Sequence, residues 1–205
     1  GMFISSFFAG AEHIFYMSQN QRLLYQERFP FLTNEKTSIL SSIFDVSDLE
    51  HIERLRKTRS DIEIKDKYVV LGSNSWIKGT EETQKYLEER QIDFDVLNGL
   101  SYHDMLRTLS EYKGLAFMPL GGDTCPRLVI EAKLLGLDLI INDNVQHASE
   151  DWFNRDLDQI ESYVLDSHNR FWNKITEFVE RLPTLSGYTT VRNVIEQKYP
   201  WRESI

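Results

Sequence analysis

The strongest constraint on the fold is a regular alternation of short apolar runs with amphipathic stretches of helix length, from about Lys67 to Asn142. Several of the apolar runs are continuous, which is typical of parallel strands that are covered on both faces. The alternation therefore predicts an α/β fold with a doubly wound parallel sheet. We expect strands at His13 to Met17, Thr37 to Leu40, Tyr68 to Leu71, Phe94 to Leu97, Leu115 to Met118 and Leu137 to Ile141.

Helices are predicted between and after these strands. Ser101 is placed to cap a helix in which apolar side chains recur every three or four residues. Pro126 suits the first turn of another helix, which Gly136 would close. Near the end of the chain, an apolar stripe predicts a helix over Phe171 to Leu182, and a last helix is expected over Val191 to Lys198.

Two loops matter most for function, because ligands of a doubly wound sheet bind at the carboxyl ends of its strands. They are Gly72 to Gly79 (GSNSWIKG) and Pro119 to Arg127 (PLGGDTCPR). The second loop leads into a helix, whose free amide groups and dipole favour an anion. A simpler interpretation stays open: the paired glycines form a tight turn, and Asp123 or Thr124 caps the helix.

Two charged side chains near these loops are candidates for contact with a ligand. Glu131 lies about one turn into a strongly apolar helix, so its carboxylate needs a partner. That partner is either Arg127, four residues earlier, or a hydroxyl pair such as that of a ribose. Lys78, just before Gly79, could reach a diphosphate or be a solvated surface lysine. The segment GSNSWIKG matches neither of the common phosphate-binding patterns, GxGxxG and GxxxxGK[ST].

Together these residues resemble the donor domain of retaining glycosyltransferases of the GT-B architecture, family 4 and its relatives, whose sheet is Rossmann-like. The segment Asp123 to Glu131 (DTCPRLVIE) reproduces that family's spacing of an acidic residue, seven others and a glutamate. The next residues, AKLLGLDLIIND, and the pair Lys78-Gly79 also resemble the family. The resemblance covers about Lys67 to Asn144.

The resemblance implies a nucleotide diphosphate sugar as the substrate and retention of anomeric configuration, with no cofactor and no metal. Glu131 would hold the ribose, Asp123 the hydroxyls of the donor sugar, and Lys78 would face the diphosphate. A lysine and a helix amino end can stabilise the leaving phosphate without a bound metal. The backbone amides expected near the sugar and phosphates are those of Thr124, Cys125 and Arg127.

This chain also departs from the family pattern. The first acid is Asp123 rather than the usual glutamate, Pro126 removes an amide, and Ser73 and Asn74 occupy the place of an arginine. Both Ser73 and Asn74 are candidates for the cleft. His147, in the loop after the last predicted strand, either lines the cleft as well or is a solvent-exposed or capping histidine.

The opening segment resembles the last strand and helix of the family's acceptor domain. We therefore expect residues 1–45 to be a remnant of that domain with the crossover, 46–165 the Rossmann-like donor domain, and 166–205 C-terminal helices. On this interpretation the chain holds the donor half of a glycosyltransferase, and activity requires an acceptor domain. The apolar start of the chain could then form an interface with a second copy or a partner chain.

Composition excludes several other classes. There are 32 acidic and 23 basic residues, so the formal net charge of -9 argues against a nucleic-acid partner. The single cysteine, Cys125, excludes an internal disulfide, and a reducing cytoplasm is the simplest setting. Cys125 as a nucleophile would need a paired histidine, and none is nearby in sequence. The apolar segment Phe3 to Ala9 is too short for a membrane span.

Three alternatives to a transferase remain. One is a non-catalytic module that binds a nucleotide sugar and works with a partner chain. Another is a nucleotide-sugar epimerase of the same architecture, which needs no acceptor, so incubating the donor alone would distinguish it. The third is a protein whose site has decayed. The transferase interpretation, by resemblance, implies synthesis of surface polysaccharide or glycoconjugate.

Overall fold

The structure is a computed structural model that describes residues 2–181 of the chain, with side chains described for residues 5–178. It is an α/β structure in which all the strands are parallel to their neighbours. In chain order the helices and strands are α1 (Met2–Gly10), β1 (Ile14–Tyr16), α2 (Gln19–Arg28), β2 (Thr37–Ile39), α3 (Val46–Thr58), β3 (Lys65–Leu71), α4 (Thr80–Glu89), β4 (Phe94–Leu97), α5 (Tyr102–Ser110), β5 (Tyr112–Phe117), α6 (Arg127–Leu134), β6 (Asp138–Ile141), α7 (Leu157–Leu165) and α8 (Ser167–Arg181).

All six predicted strands are present, and their main differences from prediction are at the amino ends of β3 and β5. Each of these strands begins three residues earlier than its apolar run, at Lys65 and Tyr112. These extensions pair with each other, Lys65 opposite Tyr112, although Lys65 is exposed. The extension of β3 is largely exposed, whereas that of β5 includes buried Tyr112 and Gly114, so hydrogen bonding continues beyond the continuous apolar run in both strands.

The main sheet has the strand order β4-β3-β5-β6. The chain runs from β3 outward to β4, then crosses back to the other side of β3 to form β5. Between β3 and β5 the direction of winding therefore reverses, which is the place where a doubly wound sheet binds its ligands. The loops that follow β3 and β5 are the two that the sequence singled out.

Helices cover both faces of this sheet. Adjacent residues of β3 point to opposite faces, so Val69 packs into the larger core while Val70 packs against Leu87 of α4. The larger core also contains residues of α3, α5, α6 and α7. The continuous apolar runs of β3 and β5 are thereby explained, since both faces of each strand are buried.

The helix ends agree closely with prediction. The Ser101 side chain accepts a hydrogen bond from the Asp104 amide and caps α5. Gly136 has a φ of 77° just after α6, a conformation that glycine adopts without strain. Pro126 differs slightly, because it precedes the first helical residue instead of lying in the first turn.

The strands β1 and β2 form a separate two-stranded sheet beside α2. Hydrogen bonds join this region to the loop after β6: Ser18 Oγ donates to Gln146 Oε1 at 2.7 Å, and the Gln19 amide donates to Glu150 Oε1 at 2.7 Å. Residues 2–45 and the main sheet belong to one compact unit, which ends at Ser167.

A second unit begins at His168 and contains most of α8. The helix predicted from the apolar stripe that begins at Phe171 is confirmed as far as Arg181. The predicted helix over residues 191–198 lies outside the described residues. Between residues 2 and 181, no helix is both long enough and apolar enough to cross a membrane.

Candidate functional site

The loops after β3 and β5 contact each other closely at the carboxyl edge of the sheet. The Leu120 amide donates a hydrogen bond to the Ile77 carbonyl at 2.9 Å. Gly79 has a φ of 65°, and a Cβ atom built there would lie 2.1 Å from the Met118 carbonyl oxygen. A glycine is therefore required at position 79 for both its conformation and its contact with the neighbouring loop.

Lys78 and Asp123 connect these two loops. Lys78 Nζ lies 2.7 Å from Asp123 Oδ2, and the two side chains are 40% and 19% exposed. The backbone at Asp123 is held by strand-like pairing with Val145, and its amide donates to the Asn144 carbonyl at 2.7 Å. Two of the three predicted donor-binding side chains thus meet in a partly exposed ion pair.

The amino end of α6 carries no side-chain cap. Pro126 occupies the N-cap position and makes no side-chain hydrogen bond there. Neither Asp123 nor Thr124 caps the helix, so the simpler interpretation of these two residues is wrong. Thr124 is half-buried in the loop. An uncapped helix end leaves amide groups available to an anion.

Cys125 belongs to the same loop, and its side chain is buried. Ser42 Oγ donates a hydrogen bond to the Cys125 carbonyl oxygen at 3.2 Å and lies 3.4 Å from its sulfur atom. Burial raises the pKa of the Cys125 thiol to about 11, so the thiol is protonated at neutral pH. A protonated, buried thiol is a poor nucleophile.

Glu131 is the most buried acidic side chain of the site, with 3% of its surface exposed. Its Oε1 atom accepts hydrogen bonds from Arg127 Nε at 2.7 Å and from the Tyr102 hydroxyl at 2.8 Å. Burial raises the pKa of Glu131, although these two hydrogen bonds oppose the shift. Among the described residues, none donates a hydrogen bond to the second oxygen, Oε2.

Arg127 joins three helices around Glu131. Its guanidinium forms an ion pair with Asp48 of α3 and lies 3.1 Å from the hydroxyl of Tyr102 on α5. It also donates to the Ile43 carbonyl at 3.3 Å and lies over the Phe44 ring. Sequence reasoning identified the pair of Arg127 with Glu131 but missed Asp48 and Tyr102. No local pattern relates them, since they come from different helices.

An open cavity of about 520 Å³ lies beside Glu131. Apolar side chains from the end of β3, from α5 and its preceding loop, and from α6 form much of its wall. These are Leu71, Leu100, Met105 and Leu128. The polar groups on the wall belong to the network just described, so the cavity combines apolar walls with a buried carboxylate. That combination suits a ligand with a flat apolar part and hydroxyl groups.

His147 does not line an open cleft, and both predicted positions for it are wrong. Its side chain is fully buried, stacked on Trp152 with ring centroids 5.7 Å apart and edge-on to Phe153 at 4.7 Å. Neither ring nitrogen has a hydrogen-bond partner among the described residues. Burial lowers the pKa of His147 to about 4, so the ring is neutral at pH 7.

Ser73 and Asn74 lie in the loop after β3. The Ser73 amide donates to Thr80 Oγ1 at 3.2 Å, and its hydroxyl accepts from the Ser75 amide at 3.1 Å. These bonds hold the loop against the start of α4. Asn74 is exposed at the surface of the same loop.

Within the described part of the chain, no group of three or more histidine, cysteine, aspartate or glutamate side chains is arranged to hold a metal ion. No protein-family model matches the sequence, and neither does any curated protein.

Proposed function

We propose that this chain is the donor domain of a retaining glycosyltransferase and binds a nucleotide diphosphate sugar. One observation carries the proposal. Lys78, Asp123 and Glu131 come from two segments that are separated by α4, β4, α5 and β5, yet all three lie at the carboxyl edge where the winding of the sheet reverses. That edge is where doubly wound sheets bind nucleotides.

The cavity beside Glu131 suits the nucleoside. Its apolar walls can enclose a base, and a volume of about 520 Å³ is in the range of small-molecule sites. Oε1 of Glu131 is occupied by Arg127 and Tyr102, whereas Oε2 remains available to accept a ribose hydroxyl. An ionised carboxylate is a strong acceptor for such a hydroxyl.

Lys78 and the uncapped end of α6 suit the phosphates. A diphosphate would compete with Asp123 for the Lys78 ammonium, and the helix amides would add donors. Releasing Asp123 from Lys78 would free its carboxylate to accept hydroxyls of the sugar. During transfer, Lys78 and the helix end would stabilise the charge that develops on the leaving phosphate.

A non-catalytic module that binds nucleotide sugars is the second candidate. The observation that favours it is that each predicted donor-binding charge already has a partner within the chain: Lys78 pairs with Asp123, and Glu131 with Arg127. Incubating each nucleotide sugar with the protein and analysing the products by mass spectrometry separates the candidates. Slow release of nucleoside diphosphate supports a catalytic site, and isomerised donor identifies an epimerase.

Calorimetric titration with UDP, GDP, ADP and their sugar conjugates tests the binding itself. We expect one nucleotide series to bind with micromolar affinity. Glu131→Gln should weaken that binding by about tenfold or more, because one hydrogen bond to a charged group is worth about 1.5–3 kcal/mol. Lys78→Met should weaken the diphosphates more than the free nucleoside.

Lys85→Met is the matched control, since the Lys85 side chain is 77% exposed on α4 and does not line the cavity beside Glu131. This variant should bind as the wild type does. Absence of binding across the whole panel by folded protein would overturn the proposal, and so would binding that neither Glu131→Gln nor Lys78→Met weakens.

A further inference from the structure

A second cavity, of about 320 Å³, lies between α2 and the loops that follow β5 and β6. It shares no lining residue with the cavity beside Glu131. Gly122 lines it from the loop after β5, and the next residue along the chain is Asp123. The second cavity is therefore bounded by the same loop that carries Asp123 of the Lys78–Asp123 ion pair.

Two amide side chains of this cavity keep unused hydrogen-bonding capacity. Gln146 accepts from Ser18 through Oε1, and its Nε2 atom lies so close to Gly122 that a Cβ there would be 2.5 Å away. Asn144 donates through Nδ2 to the Pro119 carbonyl at 2.8 Å. Neither Nε2 of Gln146 nor Oδ1 of Asn144 has a partner in the part of the chain that is described. The cavity thus offers both a donor and an acceptor.

The charged groups on the cavity wall are carboxylates. Glu27 lines it from α2 and Asp143 from the loop after β6, and none of its described lining residues is basic. Phosphates and other anions would be repelled by these two carboxylates. Carboxylate and amide groups together form strong hydrogen bonds with neutral hydroxyls.

The side of the cavity formed by α2 is partly apolar. Leu23 and Leu24 are 50% and 58% exposed, and both line the cavity. Asn20 lies on the same helix and adds another amide to the cavity wall. Apolar surface beside convergent acceptors and donors matches a sugar ring, which carries C–H groups on its faces and hydroxyls at its rim.

We propose that this cavity binds an uncharged saccharide. Its use as the acceptor of glycosyl transfer rests on the proposed function, whereas saccharide binding does not. As acceptor, its hydroxyl oxygen would form a bond to the anomeric carbon of the donor. The bond from that carbon to the phosphate oxygen would break, the nucleoside diphosphate would leave with the electron pair, and the hydroxyl proton would pass to the leaving phosphate.

The test is a titration of ¹⁵N-labelled full chain with glucose, galactose, mannose and maltose, followed by amide chemical shifts. At least one of these sugars should shift the amides of Gly122, Asn144 and Gln146. Glucuronate should cause smaller shifts because the carboxylates of the cavity repel it. Asn20→Trp should abolish the shifts by filling the cavity from an exposed helix position.

A second variant, Asp143→Ala, removes an acceptor without adding bulk. We expect it to weaken the sugar about tenfold, the loss that corresponds to one hydrogen bond to a charged group. Glu35→Gln is the matched control, because Glu35 is exposed and lies outside the cavity. It should bind sugar as the wild type does.

The proposal is overturned if no neutral sugar shifts these amides, if Asn20→Trp and Asp143→Ala leave the shifts unchanged, or if glucosamine alone binds. The last result would identify a site for amines. The sugar spectra and the nucleotide calorimetry together separate this inference from the proposed function. Sugar binding without nucleotide binding would overturn the proposed function alone, and nucleotide binding without sugar binding would overturn only the saccharide site.

Discussion

Asp123 and Glu131 are acidic residues of one short segment, and their surroundings differ sharply. Asp123 pairs with the single, partly exposed Lys78 across two loops. Glu131 is buried and is held by Arg127 and Tyr102, which connect it to Asp48. An ion pair near water contributes little to stability and is easily exchanged, whereas a buried one is costly to break. The Lys78–Asp123 pair is thus suited to release for a ligand, and the Glu131 network to hold three helices together.

The largest difference is expected when the buried network loses its cation. Arg127→Met leaves Glu131 buried without a counter-charge, so the free energy of unfolding should fall by about 3 kcal/mol, the low end for a buried pair because Arg127 is partly exposed. Urea unfolding at neutral pH measures the loss.

The pH dependence of this loss has a definite sign. Since burial raises the pKa of Glu131, the native state binds its proton more tightly than the unfolded state. Stability falls as pH rises from the ordinary value of 4.5 towards the raised pKa, and Arg127→Met should steepen that fall. The double variant Arg127→Met/Glu131→Gln should recover part of the stability. If Arg127→Met lowered the free energy of unfolding equally at every pH, the ionised carboxylate of Glu131 would not be the cause of the loss.

His147 extends the comparison to a buried titratable group whose ring nitrogens have no hydrogen-bond partner among the described residues. Because burial lowers its pKa from 6.5 to about 4, the unfolded state binds the proton first as pH falls. Stability should therefore drop by about 2 to 3 kcal/mol between pH 6.5 and pH 4 on account of this residue. His147→Phe should flatten the profile over that range, as measured by urea unfolding at a series of pH values.

The loop contact that brings Lys78 to Asp123 should depend on Gly79. Gly79→Ala adds a Cβ that meets the Met118 carbonyl and strains a positive φ, and we expect a loss of about 2 kcal/mol. Gly136→Ala separates the two causes, since Gly136 has a φ of 77° with nothing within 4 Å of its Cβ position. Equal losses in the two variants, measured by thermal unfolding, would show that the contact between the loops contributes nothing.

Removing one donor from Glu131 should have a smaller effect than removing its cation. Tyr102→Phe deletes the hydroxyl that donates to Oε1 while Arg127 remains, so a loss of about 1 kcal/mol is expected. Tyr112→Phe, which removes a similar bond to Asp95 at the far side of the sheet, is the control for hydroxyl removal. Only Tyr102→Phe should alter nucleotide affinity in the calorimeter.

The smallest effect is expected at the Lys78–Asp123 pair. Lys78→Met should change the free energy of unfolding by less than about 1 kcal/mol, because the pair is partly exposed and screened. Any loss should shrink as salt is added. If Lys78→Met destabilised the protein as much as Arg127→Met, the division into an exchangeable pair and a structural network would be wrong.

Much of the fold could be predicted from local patterns. The six strands, the cap at Ser101 and the end of α6 at Gly136 depend on a few consecutive residues, and each was found close to its expected place. The predicted position of His147 was wrong because that prediction also used only the local sequence. A loop histidine is usually exposed, and nothing local shows that Trp152 and Phe153 fold back onto it.

By itself, the sequence determined the alternation of strands and helices, and hence a parallel α/β sheet with two loops at its carboxyl edge, because periodicity and turn chemistry act over short distances. It also indicated that Glu131 needs a partner. Only the tertiary structure decided which side chains form hydrogen bonds or ion pairs with Glu131 and Asp123. Tyr102 reaches Glu131 across 29 positions of the chain, and Lys78 reaches Asp123 across 45. Such contacts depend on how whole elements pack, which no local pattern records.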